Sequence, residues 1–336
     1  MANALSFSSS VSVSVLFTYL RMRPCRKRIR RMYRPLLASS TPSGELEKIK
    51  DMEARNDTIA SLLACPICFK PLELSDWTIY KKLKCQSCGK VYVSNGRYLD
   101  LTFSSLTDES EAFMRPSTEL FRNPAISFFY ERGYRQGFQI SGYPGPDEEL
   151  KLANKYMETA VGGTVIDLSC ATGIFTRRMI KCGLYKSVIG LDYSETMLEQ
   201  FHSFIQEDQS LKEQDFLLVR ADVGRLPFAT ETIDAVHAGA AIHCWPSAAN
   251  GVAEVCRVLK PDGVFIASTQ VVEALRPFRQ VLRIAYGAAG VWTEEAELRK
   301  LCENCGLSNW SSTRNSAFIM FSAQKPRTIL SEPDKM

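Results

Sequence analysis

The sequence predicts an α/β fold in which a parallel sheet carries helices on both faces and follows a small metal-binding segment. Two apolar runs, Val165–Leu168 and Val188–Leu191, flank a helical segment, as in a nucleotide-binding βαβ unit. Further apolar runs alternate with helical segments of about ten residues, which is typical of a parallel sheet covered on both faces. Two Cys-x-x-Cys pairs precede this region.

The first predicted strand leads into a turn of small residues and then into a helix over Ile174–Cys182. Small residues let the backbone approach a ligand, and a carboxylate after the second strand, Asp192, can accept hydrogen bonds from both ribose hydroxyls. A dinucleotide site needs glycine at three spaced positions to admit a pyrophosphate. Here only Gly173 is glycine, and Ser169 and Ala171 occupy the other two positions. The turn therefore suits a nucleoside cofactor that has no phosphate.

The rest of the chain continues this alternation, because short apolar runs are followed by turn residues and by helical segments. In chain order, the sequence predicts strands at Phe216–Val219 and Ile233–Val236, a helix at Ala249–Leu259, a turn at Lys260–Gly263 and a strand at Val264–Ser268. A helix at Glu294–Asn304 and two closing strands at Ser308–Ser312 and Ala317–Ser322 follow.

The small-residue turn resembles motif I of the S-adenosylmethionine (SAM)-dependent methyltransferases. Asp222–Phe228 and Arg257–Gly263 resemble recurrent phrases of the family that includes the ubiquinone and menaquinone C-methyltransferases. The Ser169-Cys170 pair and the segment His237–Pro246 resemble plant chloroplast methyltransferases of unassigned substrate. The resemblance covers roughly residues 160–325. It implies a Rossmann-like class I methyltransferase sheet, SAM as cofactor and methyl transfer as the activity.

The resemblance also implies where the cofactor binds. Asp192 is expected at the ribose, Asp167 beside the turn near the amino group of SAM, and Asp222 and Val223 at the adenine. The remaining cofactor-binding candidates are small residues that bring the backbone close to the ligand: Ser169, Ala171, Gly173, Ala238 and Gly239.

Two residues in this region raise separate questions. The family usually has glycine where this chain has Ala171, and a Cβ there could crowd the ligand or disfavour a positive φ. His243 follows the fourth strand, where it could act as a general base for an acceptor that is a hydroxyl or an acidic carbon. The alternative is that His243 only shapes the pocket.

The four cysteines Cys65, Cys68, Cys85 and Cys88 predict a zinc ribbon over residues 60–103. Two Cys-x-x-Cys loops separated by 16 residues suit a tetrahedral Zn²⁺ held by four thiolates, which leaves no open position and so indicates a structural site. Short strands are expected at Trp77–Tyr80 and Lys90–Val93. A similar ribbon precedes the catalytic domain of bacterial large-subunit rRNA guanine methyltransferases. The alternative is reduced cysteines packed in a small core.

The first 44 residues contain no acidic residue, carry eight basic residues and begin with a serine-rich run. This composition predicts a disordered transit peptide, and the serines favour a chloroplast over a mitochondrion. A basic arm that binds nucleic acid or membrane is the alternative. The remaining chain has 33 basic and 37 acidic residues, so its net charge of −4 lacks the bulk electrostatic signature of a nucleic-acid binder.

Residues 108–158 are dense in aromatic and arginine side chains and are expected to form a helical linker or lid. Part of the substrate pocket is expected there, although the aromatic residues could simply pack on the core. Asp147 is expected to cap a helix. The methyltransferase domain is expected over residues 159–325, followed by a tail over 326–336. The candidate pocket residues of the linker are Phe128, Tyr130, Tyr134 and Arg135.

The sequence thus favours a SAM-dependent methyltransferase of the plastid stroma or of lipid-associated plastoglobules, acting on a small, lipophilic metabolite. One alternative is an RNA methyltransferase whose ribbon binds RNA. Another is a non-catalytic scaffold, in which case Ala171→Gly would restore cofactor binding. No apolar run approaches the ~20 residues that span a bilayer, and no feature indicates an oligomeric state. The RNA alternative predicts a basic face formed by Lys81, Lys82, Lys84, Lys90 and Arg97.

Overall fold

The computed structural model describes residues 61–72, 82–103, 135–212, 216–278 and 292–327, together with Ala125, Tyr130, Glu131, Gln214 and Gln280. The predicted transit peptide, the strand expected at Trp77–Tyr80, residues 108–124, 126–129 and 132–134 of the linker and residues 328–336 of the tail lie outside the described residues. No described helix combines the length and the apolar character needed to cross a membrane.

Within the described residues, ten strands form one mixed sheet in the order β1-β2-β3-β6-β5-β4-β7-β8-β10-β9. The six strands from β3 to β8 in this order pair in parallel, while β1, β2, β9 and β10 pair antiparallel to their neighbours. The strands are β1 Lys82–Lys84, β2 Val91–Ser94, β3 Leu99–Asp100, β4 Thr164–Leu168, β5 Ser187–Asp192, β6 Phe216–Arg220, β7 Ile233–Ala238, β8 Leu259–Gln270, β9 Ser308–Asn315 and β10 Phe318–Gln324.

Helices cover both faces of the sheet, which confirms the predicted class I architecture. The sheet separates two apolar clusters, one on each face. Ile166 and Leu168 of β4 belong to the first cluster, and Val165 belongs to the second. The described α-helices are α1 Pro146–Tyr156, α2 Ile174–Cys182, α3 Glu195–Glu207, α4 Gln209–Lys212, α5 Ala248–Val258 and α6 Glu295–Asn304. Short 3₁₀ helices lie at Arg135–Ser141, Glu158–Ala160, Ile242–Cys244 and Glu273–Phe278.

The start of α1 differs from the prediction. Asp147 was expected as its N-cap, but Gly145 occupies that position and Pro146 is the first helical residue. Proline is favoured there because its φ is preset and its missing N–H has no partner to lose. Asp147 lies in the first turn instead, and its carboxylate accepts a hydrogen bond from Arg178 Nε at 2.7 Å.

The turn predicted at Lys260–Gly263 lies inside the long strand β8. Between the pairs Ile233↔Leu259 and Ala235↔Val264 the register of β7 and β8 shifts, so the extra residues of β8 bulge out of the ladder. Asp262 in this bulge has a φ of 66°, and Pro261 and Asp262 are exposed. The expected turn is therefore a bulge that interrupts one strand.

The cysteine-containing segment extends the sheet. Its strand β3 pairs in parallel with β6 through Leu99↔Val219 and Asp100↔Arg220. Its buried residues Leu63 and Tyr92 belong to the same apolar cluster as Val219. The segment therefore shares a core with the strands that lie beside it.

Candidate active site and metal centre

One pocket opens at the carboxyl ends of four neighbouring parallel strands, β4 to β7, where ligands bind in open α/β sheets. Eight of the residues proposed from the sequence line it together. Tyr130 belongs to the linker, and the other seven lie at or just after the ends of β4, β5, β6 and β7: Ser169, Ala171, Asp192, Asp222, Val223, Gly239 and His243.

The turn after β4 is held in a left-handed backbone at two residues that are not glycine. Ser169 has a φ of 58° and Ala171 a φ of 49°. The hydroxyl of Ser169 accepts a hydrogen bond from Trp245 Nε1 at 3.0 Å, and the N–H of Ala171 donates to Asp192 Oδ2 at 2.8 Å. A positive φ was expected to be unfavourable for alanine at residue 171. The structure has that positive φ, and the hydrogen bonds to Trp245 and Asp192 hold the turn in this conformation.

Asp192 ends β5 and presents its carboxylate to the pocket. Its other oxygen, Oδ1, accepts a hydrogen bond from Ser194 N–H at 2.8 Å. Burial raises the pKa of Asp192 to about 6, and the backbone N–H groups of Ser194 and Ala171 oppose that rise. Each carboxylate oxygen has two lone pairs, so both can still accept a hydroxyl of a ligand.

Asp167 lies beneath the pocket and is not among its lining residues. It is buried, its Oδ2 accepts a hydrogen bond from Thr176 Oγ1, and its Oδ1 lies 2.8 Å from His237 Nδ1. These contacts join β4, α2 and β7. Asp167 is therefore placed to fix the strands that carry the turn.

Two other proposed residues also lie outside the pocket wall. Gly173 precedes α2 with a φ of 81°, and a Cβ built on it would lie 2.5 Å from the ring of Phe201. Ala238 is buried at the end of β7, one residue before the lining residue Gly239. Gly173 thus allows the close approach of a phenylalanine ring of α3.

At the third strand end, Asp222 and Val223 follow β6 in a tight turn. Asp222 Oδ1 accepts a hydrogen bond from Gly224 N–H at 2.8 Å, and Asp222 O accepts one from Arg225 N–H at 3.0 Å. Both bonds fix the direction in which residues 222 and 223 face the pocket. The loop continues to Leu226, whose N–H donates to Glu254 of α5 at 2.8 Å.

The rest of the described pocket wall is largely aromatic and apolar. His243 lies in this wall, with Nδ1 3.1 Å from Thr269 Oγ1. Burial raises the pKa of the Cys244 thiol to about 12, so this lining group is uncharged at neutral pH. No lysine, arginine or glutamate is among the described residues that line the pocket. The aromatic and proline residues of the wall are Tyr130, Phe138, Tyr193, Trp245 and Pro246.

Of the four linker residues proposed for the pocket, Tyr130 lines it, whereas Phe128, Tyr134 and the side chain of Arg135 lie outside the described residues. Next to Tyr130, Glu131 accepts hydrogen bonds from Thr172 Oγ1 and from Arg177 of α2. The linker is thereby tied to the motif I turn. No local pattern predicts this contact, because the partners are 41 and 46 residues apart in the sequence.

The four cysteines of the predicted ribbon come together. Their sulfur atoms all lie within 4.8 Å of one another, with Cys65 and Cys88 3.6 Å apart and Cys68 and Cys85 3.5 Å apart. Tetrahedral Zn–S bonds of about 2.3 Å would place sulfur atoms ~3.8 Å apart. Four thiols at this spacing fit a zinc ion.

The two Cys-x-x-Cys loops have the same backbone geometry. Phe69 N–H donates to Cys65 O at 2.7 Å, and Gly89 N–H donates to Cys85 O at 2.9 Å. Phe69 and Gly89 occupy equivalent positions and both have a positive φ, 56° and 75°. Repeated loops of this kind turn both sulfur atoms of each pair toward one point.

Two of the five residues of the basic face expected for RNA binding are engaged in contacts within the chain. Lys90 Nζ donates to Phe103 O at 2.6 Å, and Arg97 forms an ion pair with Glu199 of α3 at 3.0 Å. Lys84 is exposed. The side chains of Lys81 and Lys82 lie outside the described residues.

Comparison with known proteins gives consistent matches. A methyltransferase domain family matches residues 166–267. The chain is 39% identical to an uncharacterized chloroplastic methyltransferase of Arabidopsis thaliana, over 97% of this chain and 94% of that protein. A second such protein of the same plant is 41% identical over 79% of each chain. A demethylmenaquinone methyltransferase of Staphylococcus haemolyticus is 29% identical over 40% of this chain and 55% of its own length.

Proposed function

Since the chain belongs to the same family as the two chloroplastic methyltransferases of Arabidopsis thaliana, we propose that it methylates a small, uncharged and largely apolar acceptor in the plastid. Family membership makes the chain a SAM-dependent methyltransferase. The observation that supports this acceptor is the composition of the pocket wall, in which the described residues supply two carboxylates, several aromatic rings and no lysine or arginine.

The two carboxylates hold the nucleoside of SAM in this proposal. Asp192 accepts the ribose hydroxyls, and Asp222 and Val223 border the adenine, with Asp222 accepting from the exocyclic amine. Ser169, Ala171 and Gly239 bring backbone groups close to the methionine portion. When bound, SAM supplies the methyl group from its sulfonium, and displacement at that carbon needs no protein nucleophile, so positioning contributes much of the rate.

The aromatic residues receive the acceptor. Tyr130, Phe138 and Trp245 offer ring surfaces, and the described lining residues include no lysine or arginine to neutralise a phosphate or an acid. The two carboxylates are assigned to the cofactor, and the described lining residues supply no further carboxylate for an amine. A hydroxyl or acidic carbon near His243 could lose its proton to that imidazole. An aromatic or lipid-like acceptor that carries one such group fits this wall.

We place the protein in the plastid and a structural zinc ion at the four cysteines. The acid-free first 44 residues and the chloroplastic relatives support the location. The sulfur distances support the metal, since they match a tetrahedral site in which four thiolates leave no open position for chemistry.

Calorimetry with SAM tests the cofactor site. We expect binding by the zinc-loaded full chain and a loss of about tenfold or more in Asp192→Ala, because hydrogen bonds to a charged group contribute ~1.5–3 kcal/mol. Asp147→Ala removes an exposed carboxylate of α1 and serves as the matched control, with unchanged affinity expected. No binding by the folded parent, together with binding by Ala171→Gly, would support the scaffold alternative.

Transfer of a radiolabelled methyl group tests the acceptor. Phenols, quinols and RNA transcripts are offered in parallel at low salt, and we expect label in the uncharged phenol or quinol fraction. His243→Gln should then lower kcat more than it weakens SAM binding. Label in RNA alone would contradict the proposal and support an RNA methyltransferase, whose activity should fall steeply with salt.

A further inference from the structure

The metal-binding segment is joined to the cofactor wall through two arginines, and we infer that metal at Cys65, Cys68, Cys85 and Cys88 sets the affinity for SAM, with Arg225 as the positioning residue. This inference rests on the proposed cofactor and metal sites. It concerns how they are coupled, because each of the two connections runs from the cysteine segment to a residue that lines the pocket.

The first connection joins the Cys65–Cys68 loop to the turn at Asp222. Arg225 Nε donates to Pro66 O at 2.6 Å and its NH2 group donates to Ile67 O at 2.7 Å. Both carbonyls lie between the two cysteines, inside the loop that the metal would close. The main chain of Arg225 donates to Asp222 O, so one residue joins the metal loop to the pocket.

Packing holds the Arg225 guanidinium in this position. It lies 4.6 Å from the ring centroid of Phe69, the residue with positive φ that ends the first cysteine loop. Arg257 of α5 stacks on the same ring at 4.3 Å and donates to Leu226 O and Phe228 O. The loop after Asp222 is therefore clamped between the cysteine loop and α5.

The second connection runs through β3. Asp100 Oδ2 accepts a hydrogen bond from Arg220 NH1 at 2.9 Å, and both side chains are about nine-tenths buried. Arg220 Nε donates to Tyr193 O at 3.1 Å. Tyr193 follows Asp192 and lines the pocket. The strand that leaves the cysteine segment thus supports the ribose side of the site as well.

These contacts couple the two sites because Pro66 and Ile67 lie in the loop that the metal would close between Cys65 and Cys68, and metal binding stabilises the fold of the segment that holds it. Without metal, the Pro66 and Ile67 carbonyls lose their fixed positions, and the Asp222 turn loses the support that Arg225 transmits. A coupling of this kind changes ligand affinity by about 5- to 150-fold and is reciprocal.

Calorimetry with the zinc-loaded full chain tests the inference. We expect Arg225→Ala to bind SAM roughly tenfold more weakly than the parent. Arg225→Lys should be intermediate, since lysine keeps the charge but cannot form the two-carbonyl fork. Arg97→Ala is the matched control, because it breaks a contact between the segment and α3 that touches no residue of the pocket wall; its affinity should equal that of the parent.

Chelator competition gives a second measurement, made on the parent and on Arg225→Ala. If zinc tightens SAM binding by some factor, SAM must tighten zinc binding by the same factor. We expect saturating SAM to raise the apparent zinc affinity of the parent roughly tenfold, and to raise that of Arg225→Ala less. If the parent binds SAM, but Arg225→Ala does not weaken SAM binding and SAM does not raise the zinc affinity, the coupling alone is overturned. Parent protein that binds no SAM would overturn the proposed function with it.

Discussion

Ser169 and Ala171 both have a left-handed backbone, but only Ser169 offsets the conformational strain with a side-chain hydrogen bond. Alanine in this region costs about 1–2 kcal/mol, while glycine costs less there but loses more entropy on folding. Ser169 offsets its strain with the hydrogen bond from Trp245, whereas Ala171 has no side-chain bond of its own. The motif I turn therefore tolerates its departure from glycine without losing its shape.

We predict that Ala171→Gly raises the free energy of unfolding by about 0.5–1 kcal/mol, a rise of a few degrees in Tm. SAM affinity should change little, because the Ala171 N–H bond to Asp192 is a backbone bond. Ser169→Gly is the matched comparison, and it should not stabilise, since it leaves the buried Trp245 Nε1 without its partner. Thermal unfolding and calorimetry measure both effects; equal stabilisation by the two variants would contradict the argument.

Asp192 should make SAM binding depend on pH. Its carboxyl has a pKa of about 6 in the free protein, and ribose hydroxyls bind the ionised form. Lowering the pH through 6 protonates the carboxyl, so affinity should be full near pH 7 and about tenfold weaker at pH 5. Calorimetry between pH 5 and pH 7 measures this change.

The pH profile separates Asp192 from the histidine in the same pocket. Asp192→Asn should bind weakly at every pH and show a flat profile, while His243→Gln should keep the profile of the parent. A flat profile in His243→Gln would assign the dependence to the imidazole and contradict the role given to Asp192.

At the level of elements, helix α5 is shaped around the pocket wall. A Cβ on Gly251 would lie 2.5 Å from Trp245 Cε3 and 3.1 Å from Val223 Cγ2. Glycine lowers the helical propensity of α5, but it leaves room for Trp245, whose Nε1 donates a hydrogen bond to Ser169 in the motif I turn. Without a side chain at residue 251, both pocket-lining residues can pack against the same turn of helix.

Gly251→Ala should therefore destabilise the protein by about 1–3 kcal/mol, although alanine favours helix by ~1 kcal/mol over glycine. SAM affinity should fall as well, because the new methyl group displaces Trp245 or Val223. Asn250→Ala, at the exposed neighbouring position of α5, is the control and should leave both quantities unchanged. Thermal unfolding with calorimetry checks this, and a Gly251→Ala protein that matches Asn250→Ala would contradict it.

The elements of the sheet could be read from the sequence because each one is a local pattern. The helix predicted at Ile174–Cys182 has those bounds, and each predicted strand that lies within the described residues overlaps an observed one. Local patterns do not report pairing at a distance. The two residues of β3 carry no sign that they pair with β6, which lies 120 residues away in sequence.

The site divides in the same way. The carboxylates after β5 and β6 follow from motif and position, whereas Trp245, Glu131 and Arg225 take part through contacts between distant segments. Asp167 and Gly173 lie in the motif but contact Thr176, His237 and Phe201 outside the pocket wall. Motif I therefore predicted where the strands end, but it did not distinguish the residues that line the pocket from the residues that support it.

For the molecule as a whole, the cysteine segment and the sheet form one apolar cluster across the β3–β6 pairing. Buried Leu63 forms an isolated β-bridge with buried Phe228, and Arg220 of β6 forms an ion pair with Asp100 of β3. A shared core and a buried ion pair that crosses the boundary favour unfolding in one cooperative step.

We predict that removing residues 1–103 leaves no stable catalytic domain. The truncation exposes the edge of β6 and the ring of Phe228, and it leaves the nine-tenths buried Arg220 without its carboxylate, which alone costs about 3–5 kcal/mol. An unpaired, apolar strand edge also promotes aggregation. The matched control lacks only residues 1–44; it should unfold in a single transition in which tryptophan fluorescence and zinc release coincide. A monomeric 104–336 chain with the Tm of that control would show that the two parts fold independently, and would contradict a shared core.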